Sequence, residues 1–225
     1  MTKGKLFVFS FLFLLSSCGS IVKTLAGFKN PKVENKENLN RYFKDVMPNE
    51  KTFFLTVEKV GDSASIYDSF LFGFGSEMKI FSKSGQKYCY NGTEECSGIQ
   101  MTSAFANFNE VYIPCVEKTD ENLNNFLTRF VDENGNKTVA RDLPDSDYYI
   151  FQNWTKYSGS KKRFEQDAKW VLSLKQNSHI NVTIVFINGD LLEEWGLQEG
   201  DELKTKFRKK GRSFSVNFGK LPLKK

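Results

Sequence analysis

Residues 147–190 contain two apolar strands separated by a helical pattern, and this order constrains the fold more than any other feature. The first strand reads YYIFQNW and the second INVTIVFING, a nearly continuous β-branched run typical of a strand covered on both faces. Between them, Phe164, Ala168, Val171 and Leu172 recur at the spacing of one helix face. We therefore expect a βαβ unit with a parallel strand pair, and an α/β fold.

Turn signals divide the remaining chain into short elements. Ser84-Gly85 separates two runs of strand composition, and Asn134-Gly135 marks a second hairpin turn. DENLNNFLTRF has the spacing of a short amphipathic helix, while LKTKF and SFSVNF alternate around RKKGR as a final hairpin. The sequence predicts a mostly β N-terminal region over 41–119 and an α/β domain over 120–225.

The N-terminus has the pattern of a secretory signal peptide. Lys3 and Lys5 precede an apolar run over 6–15, which is short for a membrane span. The ending LSSC resembles the lipobox of bacterial lipoproteins. This resemblance implies removal of residues 1–17, a diacylglycerol thioether on Cys18 and a further acyl chain such as palmitate. The alternative is an ordinary signal peptide in which Cys18 is incidental.

The lipobox resemblance also predicts a location. Position 19 is Gly rather than the Asp that retains some lipoproteins in the inner membrane, so the outer membrane of a bacterial envelope is favoured. Residues 18–40 are rich in Lys and Asn and lack a hydrophobic period. They are predicted to be a lipid-anchored tether between the membrane and the folded part.

Three cysteines remain after Cys18. Cys89 and Cys96 lie close together on either side of an Asn-Gly turn, and an exported chain is in an oxidising compartment. We expect a disulfide between them, which would contribute roughly 2–3 kcal/mol. Cys115, flanked by apolar residues, is then expected to be a buried, inert thiol. A redox role for Cys89 and Cys96 is the alternative, although their spacing is not C-x-x-C.

Composition argues against several classes of function. His179 is the single histidine, so neither a multi-histidine metal site nor a Ser-His-Asp triad is expected, and no cofactor is predicted. A net charge of +5 does not by itself imply nucleic acid, and no nucleic-acid partner is expected. After Glu202 the chain has nine Lys or Arg residues and no acid. This final hairpin could contact an envelope protein, anionic lipids or a polyanionic envelope polymer, or be a solvated tip.

The C-terminal half resembles the membrane-anchored thioredoxin-like proteins of bacterial envelopes over roughly residues 120–218. That family has a D-x-N-G-K hairpin, a D-L step, a strand that ends near a tryptophan, and C-x-x-C at the start of a helix. The matching positions are Asp132, Asn134, Gly135, Lys137, Asp142, Leu143, Trp154, Tyr157, Gly159 and Asp190. The resemblance implies a thioredoxin-like α/β domain.

The departures from that family concern its chemistry. Ser158 and Lys161 occupy the places of the two cysteines, and the family's cis-proline has no counterpart. A hydroxyl at a helix N-terminus cannot replace a thiolate that attacks a disulfide, so thiol exchange at this site is excluded. A catalytic Ser158–Lys161 pair is a further possibility, but no oxyanion hole is visible. Helix capping by Ser158 or Ser160 and a solvated Lys161 are the simpler interpretation.

Three hypotheses follow. The first is an envelope lipoprotein with a redox-inactive thioredoxin-like module, which binds or scaffolds and is not an enzyme. The second is a thiol-disulfide oxidoreductase that uses Cys89, Cys96 or Cys115. The third is an unrelated β-rich envelope lipoprotein, which predicts that YYIFQNW and INVTIVFING are antiparallel and that no helix begins at 158–161.

Overall fold

The computed structural model describes residues 28–75, 78–91, 107–116, 121–177, 179–210 and 213–224. Its helices are α1 Lys36–Lys44, α2 Ser63–Phe74, α3 Phe108–Val111, α4 Leu123–Leu127 and α5 Lys161–Asn177, with 3₁₀ turns at Ala140–Asp142 and Glu193–Trp195. Its strands are β1 Val33–Glu34, β2 Thr52–Leu55, β3 Lys79–Ser82, β4 Lys87–Tyr90, β5 Tyr112–Pro114, β6 Phe130–Val131, β7 Tyr148–Trp154, β8 Val182–Asn188, β9 Leu191–Leu192, β10 Thr205–Lys210 and β11 Ser213–Phe218. Within these ranges, no helix has the length and apolar character needed to cross a bilayer.

A seven-stranded mixed sheet forms the centre of the fold, in the order β5-β4-β3-β7-β8-β2-β6. β8 is parallel to both of its neighbours, β7 and β2, and the other neighbouring pairs are antiparallel. Two smaller sheets join β1 to β9 and β10 to β11. The expected α/β class is confirmed at this level, as a mixed α/β architecture.

The predicted βαβ unit is present. β7 and β8 pair in parallel from Tyr148↔Val182 to Trp154↔Asn188, and α5 connects them. All seven residues of β8 are buried, as its continuous apolar run predicted. Ala168 and Val171 of α5 are buried. The antiparallel arrangement required by the third hypothesis is therefore wrong.

The central sheet takes strands from both parts of the chain that the sequence separated. β2, β3, β4 and β5 come from 41–119, and β6, β7 and β8 come from 120–225. The strands on both sides of the predicted boundary near residue 120 are therefore hydrogen-bonded within one sheet. The final hairpin has the expected strands, but it forms its own two-stranded sheet beside the central one.

Helix α2 was not predicted from the sequence. Asp62 caps it by accepting a hydrogen bond from Ser65 N at 2.8 Å. Its buried positions include two small residues, Ser69 and Gly73, and these hide the hydrophobic period. Gly73 is small because the helix crosses close to the end of β8. A Cβ on Gly73 would lie 2.5 Å from Gly189 Cα.

The predicted tether over 18–40 is wrong for its described part, residues 28–40. Val33 and Glu34 pair with β9, and Asn35 caps α1 by accepting from Asn38 N at 2.8 Å. Leu39 and Phe43 then enter the core at i, i+4 spacing. The buried face of α1 was not predicted because it has only two apolar core residues, Leu39 and Phe43, among many Lys and Asn residues. Residues 18–27 lie outside the described chain.

The predicted pairing of Cys89 is also wrong. Cys89 forms a disulfide with Cys115, across a Cα–Cα distance of 5.0 Å. The antiparallel pairing of β4 with β5 brings the two residues together, and Cys115 N donates to Lys87 O at 3.0 Å. Cys115 is therefore not a free, inert thiol. Cys96 lies outside the described residues. The prediction relied on the short sequence separation between Cys89 and Cys96, whereas strand pairing brings Cys89 close to Cys115, which is 26 positions away.

Candidate functional site

A cleft of about 780 Å³ lies between α5 and the part of the central sheet that contains β3 and β4. Its base includes Gln152 and Trp154 of β7, and the segment between β7 and α5 also lines the cleft. That segment, residues 155–160, is called the motif turn below. The aromatic side chains of the cleft are Tyr88, Tyr90, Tyr112, Trp154, Phe164, Trp170 and Phe186.

The cleft also has polar and charged groups on its walls. Arg163 and Asp167 of α5 lie on one side, 3.7 Å apart between Nε and Oδ2. Lys87 of β4 is part of the lining on the other side, but its side chain alternates with those of Tyr88 and Tyr90 and projects from the opposite face of the strand. Lys87 forms an ion pair with Glu121. A concave, aromatic surface with a few hydrogen-bonding groups has the general character of a ligand site.

The motif turn is held by hydrogen bonds of its own. Ser158 Oγ donates to Thr155 O at 3.2 Å, and Ser160 Oγ accepts from Arg163 N at 3.2 Å. Ser160 is thus the residue that caps α5, which resolves the alternative left by the sequence. Ser158 and Gly159 line the cleft.

Lys161 points to other partners. Its Nζ forms an ion pair with Asp45 Oδ2 at 3.0 Å and lies 5.8 Å from the centre of the Tyr42 ring. No hydrogen bond joins Lys161 to Ser158 in the described chain. A catalytic Ser–Lys pair therefore has no geometric support, because the nucleophile and its base would need hydrogen-bond contact.

Trp154 is fixed by a stack of rings at the base of the cleft. Its ring centroid is 5.1 Å from that of Phe164 and 6.2 Å from that of Tyr42, and both pairs are nearly parallel. Its Nε1 donates to Thr52 Oγ1 at 2.8 Å. The indole is therefore buried with its polar atom satisfied, which is how buried tryptophans are stabilised.

Tyr157 is not among the cleft-lining residues and packs in an aromatic cluster. Its ring is 5.4 Å from that of Phe28 and 6.1 Å from that of Phe70. Burial, followed by the negative charge of Asp190, raises the pKa of Tyr157 well above its ordinary value. Of the predicted motif residues, the structure therefore brings Trp154, Ser158 and Gly159 to the cleft, and places Tyr157 and Lys161 elsewhere.

A buried carboxyl group connects the ends of β7 and β8. Asp190 Oδ2 accepts from Lys156 N at 2.9 Å and from Asn188 Nδ2 at 2.8 Å. Burial raises the pKa of Asp190 to about 7, although both hydrogen bonds act in the opposite direction. Nearby, Lys156 Nζ lies 2.8 Å from Glu34 Oε1. Asp190 thus holds the motif turn against the end of β8.

The disulfide belongs to a strand that lines the same cleft, on the face of β4 opposite to Tyr88 and Tyr90. Cys89 is exposed and lies among the cleft residues on β4, while Cys115 is half-buried on the neighbouring segment. Cys18 and Cys96 are outside the described residues. Across the described ranges, no group of three or more His, Cys, Asp or Glu side chains could hold a metal ion.

Sequence reasoning missed most of the cleft wall. Tyr88 and Tyr90 alternate in KYCY and so share one face of β4, a signal that was available. Tyr112 and Arg163 reach the cleft only because β5 and α5 are placed around it by long-range pairing. The Glu34–Lys156 ion pair gave no signal either, since it joins residues 122 positions apart.

Comparison with known proteins identifies no relative. No family model matches this chain, and neither the curated proteins nor the solved structures contain a match.

Proposed function

We propose that the chain is an envelope lipoprotein whose folded part binds a ligand or partner in the cleft beside α5, without thiol–disulfide turnover at the motif turn. The observation that carries this proposal is the motif turn itself. It lines the cleft with Ser158 and Gly159, and the hydroxyls of Ser158 and Ser160 bond within the turn and cap α5, respectively, rather than face a catalytic partner. The turn is therefore a wall of a binding site.

The proposal includes a distant relation to the thioredoxin-like family. The parallel β7–α5–β8 unit, Trp154 at the end of β7 and Asp190 just after β8 support it. Two features differ. The antiparallel neighbour of β7 is β3, which precedes the unit in the chain, and the final hairpin stays outside the central sheet. Such a relation would leave the architecture of a redox site with its chemistry removed.

The cleft has the physical properties that binding requires. Its volume of about 780 Å³ is within the range of roughly 300–1,000 Å³ typical of ligand sites. Tyr88 and Trp170 are half-buried, so part of each ring remains available to a ligand. Such rings supply contact area at low entropic cost, because few torsions are fixed on binding. The base is preorganised, since Trp154 is already locked by stacking and by its bond to Thr52.

A blocking substitution tests this proposal. Ser158→Trp places a large side chain at the exposed mouth of the cleft, whereas Ser63→Trp adds the same side chain to the exposed start of α2, outside the cleft. Each protein, immobilised, is exposed to solubilised bacterial envelope, and retained proteins and small molecules are quantified by mass spectrometry. We expect a component that wild type and Ser63→Trp retain and Ser158→Trp loses at least tenfold. Identical retention by all three proteins would contradict the proposal.

The thiol-disulfide oxidoreductase is the second candidate, because Cys89 of the disulfide is exposed on β4, a strand that lines the cleft. Reduction of insulin disulfides distinguishes the two. The binding proposal expects no turnover above that of the Cys89→Ser/Cys115→Ser protein. Turnover that this double substitution abolishes would favour the oxidoreductase instead.

A further inference from the structure

The hairpin β10–β11 has one face directed into the protein and one directed to solvent. Cross-strand partners share a face. Lys206 is opposite Asn217 and Arg208 is opposite Ser215, and all four of these residues are exposed. The strand register therefore places Lys206 and Arg208 together on the outer face. Neither has an acidic cross-strand partner.

The inner face attaches this hairpin firmly to the core. The Phe207 ring is 5.0 Å from that of Phe28, and the Phe218 ring is 5.1 Å from that of Phe70. Thr205 Oγ1 donates to Asn30 Oδ1 at 2.9 Å. Because these contacts fix the inner face, the basic side chains are presented from a folded surface rather than from a loose tail.

The exposed basic residues of this region have no ion-pair partner in the described part of the chain. No described carboxylate forms an ion pair with the exposed basic residues of the hairpin and its flanks, which are Lys204, Lys206, Arg208, Lys220 and Lys224. Beyond Glu202 the sequence has no acidic residue. A concentrated, uncompensated positive surface attracts anionic headgroups at about 1 kcal/mol per basic residue.

The N-terminal segment enters the fold at this same hairpin. Phe28, the first described residue, packs against Phe207, and Lys29 N donates to Tyr157 O at 2.8 Å. Phe28 lies ten positions after Cys18 in the chain (28 minus 18), with residues 19–27 between them. Whatever conformation they adopt, they span at most about 36 Å. A lipid on Cys18 would therefore keep the hairpin side of the protein near the bilayer.

We propose that the outer face of β10–β11 docks on anionic phospholipid headgroups of the membrane that holds the acylated Cys18. The hairpin is then a second membrane signal that orients the folded part, in addition to the acyl anchor. This surface is separate from the cleft, so its failure would leave the proposed binding function in place.

Vesicle binding of a non-acylated protein tests the docking. The chain from residue 18 with Cys18→Ser lacks both the lipid and the apolar signal segment, and it retains every described residue. Its partitioning is measured by co-sedimentation with vesicles of 30% phosphatidylglycerol in phosphatidylcholine and with pure phosphatidylcholine. The comparison is between Lys206→Gln/Arg208→Gln and a control, Lys51→Gln/Lys162→Gln, which removes two exposed charges elsewhere.

We expect binding to the anionic vesicles alone, weakened as NaCl rises from 50 to 300 mM. The hairpin double variant should bind about 30-fold more weakly than wild type, which corresponds to two basic residues at about 1 kcal/mol each. The control double variant should bind at least tenfold more tightly than the hairpin variant. Unchanged thermal unfolding would show that both variants are folded.

Two results would overturn the proposal. The first is equal partitioning of the two double variants, or partitioning that does not depend on phosphatidylglycerol. The second is binding to soluble dextran sulfate that is lost in the hairpin variant, without binding to vesicles of equal charge. That second result would assign the surface to a polyanionic envelope polymer instead of lipid.

Discussion

Replacing Asp190 by Asn should change how the stability of the protein depends on pH. Asp190 is fully buried, and burial raises its pKa from 3.8 to about 7 in the folded protein. In the unfolded chain the carboxyl group is solvated and ionises near its ordinary pKa. Between about pH 4 and 7 the folded state therefore holds a proton that the unfolded state has released.

The sign and size of the effect follow from proton linkage. Because the unfolded state binds fewer protons in this window, the free energy of unfolding falls as pH rises through it. A difference of roughly 3 pKa units corresponds to about 4 kcal/mol, at about 1.4 kcal/mol per unit. This loss of stability, caused by the buried carboxyl of Asp190, is absent below about pH 4 and fully present above about pH 8.

Asparagine resembles the protonated acid and does not titrate. Its amide oxygen can accept the two hydrogen bonds that Asp190 Oδ2 receives, from Lys156 N and from Asn188 Nδ2. Asp190→Asn should therefore gain about 4 kcal/mol relative to wild type between pH 4 and pH 8. Since the proteins differ at one residue, contributions from other titrating groups largely cancel in the difference.

Urea unfolding at intervals from pH 4 to pH 9 measures this difference directly. Asp68→Asn is the matched control, because it makes the same change on an exposed side chain of α2. A stability difference between wild type and Asp190→Asn that stays constant over the whole range would refute the reasoning. It would mean that the buried carboxyl is ionised throughout, or that water reaches it.

Three further predictions concern separate parts of the chain. Removing the disulfide by Cys89→Ser/Cys115→Ser should lower the free energy of unfolding by roughly 3–4 kcal/mol, because it opens a loop with a sequence separation of 26; a loss below about 1 kcal/mol in urea unfolding would contradict this. Gly73→Ala should destabilise the protein by about 1–3 kcal/mol, because its Cβ would lie 2.5 Å from Gly189 Cα. Helix propensity alone predicts a gain of about 1 kcal/mol, so thermal unfolding decides between the two by sign. Cys18→Ser should abolish incorporation of labelled palmitate in a bacterial host, and an unlabelled wild-type protein would contradict the lipid anchor.

The sequence was most informative where a local pattern has one physical solution. The continuous apolar run of β8 requires cover on both faces, and all seven of its residues are buried. The helical spacing of apolar residues after the motif turn correctly predicted α5. Gly135 has a positive φ of 82°, as its predicted turn requires. These features depend on neighbours close in sequence.

The candidate site was only partly predictable for the same reason. Trp154, Ser158 and Gly159 were identified from the sequence and do line the cleft. Tyr88 and Tyr112, on its other wall, belong to strands that precede the βαβ unit, and no local pattern shows that they return beside β7. Their position is set by strand pairing over long separations.

The sequence by itself determined the parallel strand pair, the final hairpin and its lack of acidic residues, because these follow from side-chain period and composition. Only the tertiary structure decided which cysteine pairs with Cys89, that residues 33–44 belong to the fold, and that Phe28 brings the N-terminal segment to the basic hairpin. Those facts depend on which elements become neighbours in the folded chain. Which elements pack together depends on the burial and hydrogen bonding of the whole molecule, so it cannot be read from any single segment of the sequence.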